Sequence, residues 1–194
     1  MRIALVIAFA LVVGACATPP PSHTANVCAI FSEKGGLFNN WYRVAKSTER
    51  EFGVPVPILM ATIKTESNFR ANARPPRQKL FGVIPWKRAS SAYGYSQALD
   101  GTWDWYRRAT GRTSARRTSF SDSIHFVGWY HYQSHRRNRV ALNDAYRLYL
   151  NYYAGHAGFK RGVWRQRPEM QRAARRKANI AQRYAQQMQA CGIS

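Results

Sequence analysis

The 194-residue chain has few acidic side chains and few cysteines. It contains 9 Asp and Glu against 30 Lys and Arg, a formal net charge of +21, and 3 Cys. Any chemistry that needs a carboxyl group must use one of those nine acids. They are Glu33, Glu49, Glu51, Glu66, Asp100, Asp104, Asp122, Asp144 and Glu169. No apolar run approaches the roughly 20 residues that a membrane-spanning helix needs, which excludes a multi-pass membrane protein.

The remaining composition is that of a folded protein. Hydrophobic residues make up 45% of the chain and aromatic residues 13%. This apolar content is ordinary for a globular domain, so the high positive charge does not indicate disorder. The length suits one compact domain rather than two.

The N-terminus has the form of a secretory signal. Arg2 provides a basic start, residues 3–13 are uninterruptedly apolar, and Gly14 and Ala15 precede Cys16. A short apolar segment that ends in small residues is typical of a signal peptide. Small residues directly before a Cys resemble the lipobox of bacterial lipoproteins, in which that Cys is lipidated and becomes the first residue. The alternative is a plain cleavable signal with an incidental Cys.

These features predict a lipoprotein with a single soluble domain. We expect a signal peptide at 1–15, a lipidated Cys16 and a tether over 16–27, and a folded domain over 28–194. By resemblance to enteric-type sorting, Ala17 in place of Asp predicts a periplasmic lipoprotein on the outer membrane. The positive charge should attract wall polymers, peptide carboxylates and lipid phosphates, whereas nucleic acid would be out of reach. A monomer is expected.

Cys28 and Cys191 remain after lipidation of Cys16. An even pair in an oxidising compartment is most simply a disulfide, here between the two ends of the domain, with two free thiols as the alternative. Neither Cys has a metal-ligand spacing. His131 and His135 are one helical turn apart, but no third ligand is evident, so the sequence predicts no metal site.

Apolar periodicity predicts an all-α domain, or nearly so. Several residues mark where helices should begin or end. The expected starts are Pro57, Asp100, Ser121, Asn143 or Asp144, and Pro168, and the expected ends are Gly53, Gly111 and Gly155. Residues 74–91 interrupt this rhythm and predict a loop that contains a short hairpin.

Glu66 falls within an apolar helical stripe. Its same-face neighbours are Leu59, Thr62, Ile63 and Phe69. Desolvation there raises the pKa of a carboxyl group, and a protonated carboxyl is what a general acid for glycoside cleavage requires. The alternative is a stripe-edge Glu that reaches water or pairs with one of the 30 cations.

Three blocks resemble the lytic transglycosylases of the soluble-lytic-transglycosylase and goose-type-lysozyme-like group. Residues 66–73, ESNFRANA, look like the family block ES-x-F-x-x-x-A. Residues 94–103, GYSQALDGTW, are similar to G-L-M-Q-x-x-x-x-T, and residues 151–155, NYYAG, occupy the place of A-Y-N-A-G. The resemblance implies a lysozyme-like α fold, Glu66 as the catalytic acid/base, and cleavage of the glycan of peptidoglycan without a cofactor.

The resemblance also implies a set of substrate-binding residues. They are Ser67, Gly94, Tyr95, Gln97, Tyr152 and Tyr153. Ser67 is expected to orient neighbouring groups, Gln97 to contact the N-acetyl sugar, and Tyr152 to place its hydroxyl near Glu66. Tyr95 stands where the family has Leu and Tyr153 where it usually has Asn. Tyr93 and Tyr95 flank Gly94 and are candidates for the groove wall.

The reaction implied by the resemblance needs one carboxyl group. Glu66 would protonate the oxygen between N-acetylmuramic acid and N-acetylglucosamine and then take the proton of the muramoyl 6-hydroxyl, closing a 1,6-anhydro ring. A hydrolytic muramidase would need a second carboxylate. Asp100 and Asp104 are the nearest in sequence, but a helix cap and a helix surface explain them better. A lipid-anchored wall-binding protein without catalysis is the remaining alternative.

Overall fold

The computed structural model describes residues 18–37, 40–80 and 84–193. The predicted signal peptide and Cys16 lie outside the described residues. The helices are α1 (Val27–Glu33), α2 (Trp41–Phe52), α3 (Val56–Ser67), α4 (Asp100–Thr110), α5 (Phe120–Asn138), α6 (Ala145–Lys160) and α7 (Pro168–Ala190), with a 3₁₀ helix at Val163–Gln166 before α7. Two antiparallel strands, β1 (Arg77–Leu80) and β2 (Ile84–Arg88), form a hairpin between α3 and α4. The predicted, nearly all-α class is confirmed, and the hairpin falls inside the predicted loop.

Most predicted helix boundaries are confirmed. Gly53 and Gly111 end α2 and α4 in the left-handed conformation, the Asp144 side chain caps α6, and Pro168 opens α7. The helix predicted to end at Gly155 extends to Lys160 as α6. It is kinked at Gly155, whose φ of 71° and ψ of 158° are not helical. None of the helices in the described ranges is both long and apolar enough to cross a bilayer.

Two predicted caps are wrong. Ser119, and not Ser121, caps α5 by accepting a hydrogen bond from the backbone N–H of Asp122. This earlier start places Phe120 on α5, where its ring stacks on Trp41 at 3.7 Å between centroids. Asp100 lies in the first turn of α4, and its carboxylate pairs with Arg117 at 2.7 Å instead of capping the helix.

The core forms where α2, α3 and α7 pack around α5 and α6. Gly128 on α5 allows close approach to α2, because a Cβ there would lie 2.4 Å from Cγ2 of Thr48. Helix α3 is buried around most of its circumference. Its C-terminal turn carries Glu66, which interacts with Tyr149 of α6 and Lys177 of α7.

Cys28 and Cys191 form the predicted disulfide, with their Cα atoms 6.7 Å apart. It joins α1 to the residue after α7. A second link is close by, because the backbone N–H of Val27 donates to Oε1 of Gln187 at 2.9 Å. The two ends of the domain are thus fixed to each other by covalent and polar contacts.

Candidate active site

Glu66 lies in the last turn of α3, where the helix ends abruptly. Asn68 and Phe69 follow with φ of 51° and 61°, a left-handed pair that non-glycine residues rarely adopt. This turn buries Phe69 completely and leaves Glu66 at the rim of the core. Part of the Glu66 side chain stays accessible to solvent, yet the surrounding protein excludes enough water to raise its pKa to about 7. Glu66 is therefore partly accessible and strongly desolvated at the same time.

Two tyrosines of α6 approach Glu66. Tyr149 is close enough for its hydroxyl to lower the pKa of Glu66 by hydrogen bonding, an effect smaller than that of burial. The family resemblance implied that Tyr152 places its hydroxyl near Glu66. In the structure this hydroxyl donates a hydrogen bond to the carbonyl of Ser96 at 2.5 Å. Burial and the charge of Glu66 both raise the pKa of Tyr152, so its ring belongs to the same site. Tyr149 lies three residues before Tyr152 on the same helix face, and that spacing could have identified it.

Gln97 joins the loop after the hairpin to the end of α3. Its side-chain amide donates to the carbonyls of Ala73 at 2.9 Å and Gly94 at 2.8 Å. Both partners are acceptors, so the NH₂ group must face the loop and the amide oxygen the opposite side. That orientation leaves the oxygen of Gln97 as an acceptor for a ligand.

A cavity of about 240 Å³ opens beside these residues. Its wall consists of Gln97, Ala98, Leu99, Thr102, Phe126, Tyr130, Tyr152, Tyr153, Ala154 and Gly155. The structure therefore brings Gln97, Tyr152 and Tyr153 together, as the second and third sequence blocks require. Tyr153 is 50% exposed and offers a free aromatic surface.

Three of the expected binding residues do not face this cavity. Tyr95 is 1% exposed and packs edge-on against Trp41 and Phe120, so it is a core residue and not part of a groove wall. Ser67 is buried and donates its hydroxyl to the carbonyl of Ile63 in its own helix at 3.2 Å. Gly94 has no side chain, and its backbone carbonyl accepts a hydrogen bond from the Gln97 amide. Tyr93 lies beneath Arg74 at 3.9 Å and lines a different cavity.

Lys177 of α7 completes the site and was missed in the sequence. It is 0% exposed, and its charge lowers the pKa of Glu66. Nε2 of His131 lies 3.3 Å from Nζ of Lys177. His131 and His135 are the two histidines for which the sequence predicted no metal site. Within the residues that the structure describes, no group of three His, Cys, Asp or Glu side chains is placed to hold a metal ion.

Replacement of Gly94 by Ala should disrupt the loop that carries Gln97. Gly94 has a φ of 76°, and a Cβ there would lie 2.0 Å from the carbonyl oxygen of Arg117. We expect a loss of about 2–4 kcal/mol in the free energy of unfolding, measured by urea denaturation. The control is Gly101→Ala in α4, where a Cβ meets no atom within 4 Å and should stabilise the helix slightly. Equal midpoints for the two variants would contradict this role.

The helical fold, with a desolvated carboxyl at the end of α3, is that of a lysozyme-like domain. The family model described as the transglycosylase SLT domain matches residues 4–191, and the chain belongs to this family. No curated protein matches the chain. The resemblance carried by the three sequence blocks is confirmed, and family membership indicates a transglycosylase domain that acts on peptidoglycan.

Proposed function

We propose that this protein is a lytic transglycosylase that cleaves the β-1,4 bond between N-acetylmuramic acid and N-acetylglucosamine and leaves 1,6-anhydromuramoyl ends. The observation that carries the proposal is the isolation of Glu66. All nine acidic residues lie in the described ranges, and eight of them have a basic partner within 4 Å. Seven pair with Lys or Arg, and Glu51 contacts His125, whose pKa is lowered by burial. The eight are Glu33, Glu49, Glu51, Asp100, Asp104, Asp122, Asp144 and Glu169. Glu66 forms no ion pair with any described side chain.

A pKa of about 7 lets one carboxyl group perform both proton transfers. Near neutral pH, Glu66 is partly protonated and can donate to the glycosidic oxygen as the C1–O bond breaks. The substrate's acetamido oxygen stabilises the positive charge at C1, as the family resemblance implies. The resulting carboxylate then accepts the proton of the 6-hydroxyl while the 6-oxygen bonds to C1. Glu66 regains its proton and no water is consumed.

The surroundings of Glu66 argue against the hydrolytic alternative. A hydrolase of the lysozyme type needs a second carboxylate across the sugar ring. Asp100 pairs with Arg117 at 2.7 Å and Asp104 with Arg107 at 3.5 Å, and both line a separate cavity of about 600 Å³. Glu66 is in the wall of neither cavity, but Tyr152, on which its charge acts, lines the 240 Å³ cavity and not the larger one.

The 240 Å³ cavity is proposed to hold an N-acetyl sugar next to Glu66. The free amide oxygen of Gln97 can accept a hydrogen bond from an acetamido N–H group. The exposed ring of Tyr153 can pack against the apolar face of a sugar, a contact that the Asn usual at this position cannot supply.

Analysis of the products from purified sacculi tests the proposal. Mass spectrometry of the released muropeptides should show 1,6-anhydro ends, which are lighter by one water than reducing ends. Reducing ends would overturn the proposal in favour of a hydrolase. A gel that contains peptidoglycan separates both from the wall-binding alternative, because an enzyme clears a zone and a binding protein does not.

A further inference from the structure

Lys177 is a buried lysine that interacts electrostatically with the proposed catalytic acid, Glu66. It is one of 30 Lys and Arg, and it is 0% exposed on α7. Lysine is almost never fully buried unless it is paired, yet Lys177 forms no ion pair within 4 Å among the described side chains. Its Nζ lies 3.3 Å from Nε2 of His131 and 5.0 Å from the ring centroid of Tyr149.

Ionisable groups surround Lys177 from every helix that packs on α7 at this point. Helix α3 contributes Glu66, α5 contributes His131, and α6 contributes Tyr149 and Tyr152. In an outer layer, Arg176 acts on Tyr149 and His156 acts on His131. Glu66 is the acid of this cluster and Lys177 its most basic inner member.

The hydrogen bonds in this cluster favour an uncharged amine. Thr62 donates its single hydroxyl proton to the carbonyl of Ile58 at 2.8 Å, so its 3.1 Å contact with Nε2 of His131 requires a proton on that nitrogen. A protonated Nε2 cannot accept a hydrogen bond from Lys177, whereas the lone pair of a neutral amine can be a second acceptor of the Nε2–H group that it shares with Thr62. This tautomer also leaves an acceptor at the unpartnered Nδ1 of His131, instead of an orphaned donor.

We propose that Lys177 is a positioning residue whose amine competes with Glu66 for a single proton, and thereby determines how much of Glu66 is protonated at neutral pH. When Glu66 holds the proton, Lys177 is neutral and rests on His131. When Glu66 releases it, a protonated Lys177 stabilises the carboxylate. Burial shifts the two pKa values toward each other, each to about 7, and the opposing charges offset only part of that shift. The consequence for turnover, though not the coupling itself, rests on the proposed function.

Two substitutions at position 177 should move the ionisation of Glu66 in opposite directions. Lys177→Met removes the charge with little change in volume, so we expect the pKa of Glu66 to rise by at least about one pH unit. Lys177→Arg holds a permanent charge and should lower it. The alkaline limb of kcat/KM on peptidoglycan should move the same way. Lys160→Met, an exposed cation on α6, is the matched control and should leave both unchanged.

Carboxyl ¹³C titration by NMR measures this coupling without activity, with the Glu66 signal assigned by its absence in Glu66→Gln. An unchanged Glu66 pKa in folded Lys177→Met overturns the proposal. If neither Lys177 variant folds, the reciprocal titration decides, because coupling is mutual. The Lys177 ε-¹³C pKa should then fall in Glu66→Gln, and no change there would refute the coupling. A chain that shows the coupling but cleaves no peptidoglycan would refute only the proposed function.

Discussion

Glu66→Gln is expected to reduce peptidoglycan cleavage by about 10³–10⁴-fold, because the same carboxyl group supplies both proton transfers. Glutamine has the size of protonated glutamic acid and can accept the hydroxyl of Tyr149, but it cannot donate a proton to the leaving oxygen. Binding to sacculi should persist. The measurement is the rate of soluble muropeptide release under identical conditions.

The matched control is Glu169→Gln. Glu169 is an exposed acid at the start of α7, and its 3.7 Å ion pair with Arg167 lies on the surface. This variant removes the same charge and should retain wild-type activity. Residual activity of Glu66→Gln within tenfold of the wild type would contradict a single-carboxyl mechanism.

The stability of Glu66→Gln supplies an independent check on the pKa of Glu66. In the folded protein this pKa is about 7, above the ordinary value of 4.5, so the native state binds the proton more tightly than the unfolded chain does. The contribution of Glu66 to stability is therefore fully present below pH 4.5 and is lost as the pH rises through 7. Relative to wild type, Glu66→Gln should become progressively more stable between pH 5 and pH 8. If the difference in stability between the two proteins did not change with pH, the pKa of Glu66 would be the same in the folded and unfolded states.

Local sequence patterns predicted the parts of the site that are set by one helix. The spacing of Leu59, Thr62 and Ile63 before Glu66 placed that carboxyl among apolar side chains, and the structure shows it desolvated there. The same reasoning applies to α7. Ala173, Ala174, Ala181 and Tyr184 are buried at helical spacings around Lys177, so the stripe of α7 also contains a charged residue. In the sequence, the many other Lys and Arg residues of α7 made it difficult to recognise Lys177 as part of the buried stripe.

Contacts between distant segments could not be predicted in this way. Phe120 at the start of α5 stacks on Trp41 of α2, and no local capping rule predicts that contact between distant segments. Tyr95 follows Gly94 in a family block, yet its ring completes the same aromatic cluster and leaves the cavity to other residues. Substrate contact was inferred from position within a motif, whereas the direction of a loop side chain depends on what packs behind it.

Loss of the Cys28–Cys191 disulfide should have the largest effect on stability. The two residues are 163 apart in sequence, and in the chain-entropy model a loop of this length corresponds to about 5 kcal/mol. The double variant Cys28→Ser/Cys191→Ser should unfold at a markedly lower guanidinium concentration than oxidised wild type. Dithiothreitol should bring the wild type to the midpoint of the double variant, which itself should not respond. Equal midpoints for oxidised wild type and the variant would contradict this expectation.

The same variant tests whether the ends of the chain support the site. The disulfide follows directly on α7, and α7 carries Lys177. The polar links between Val27, Ala25 and Gln187 survive the substitution and should keep α1 docked below the unfolding transition. We therefore expect the folded double variant to keep the wild-type pH profile of cleavage. A shifted alkaline limb in the folded variant would instead show that the disulfide also fixes the distance between Lys177 and Glu66.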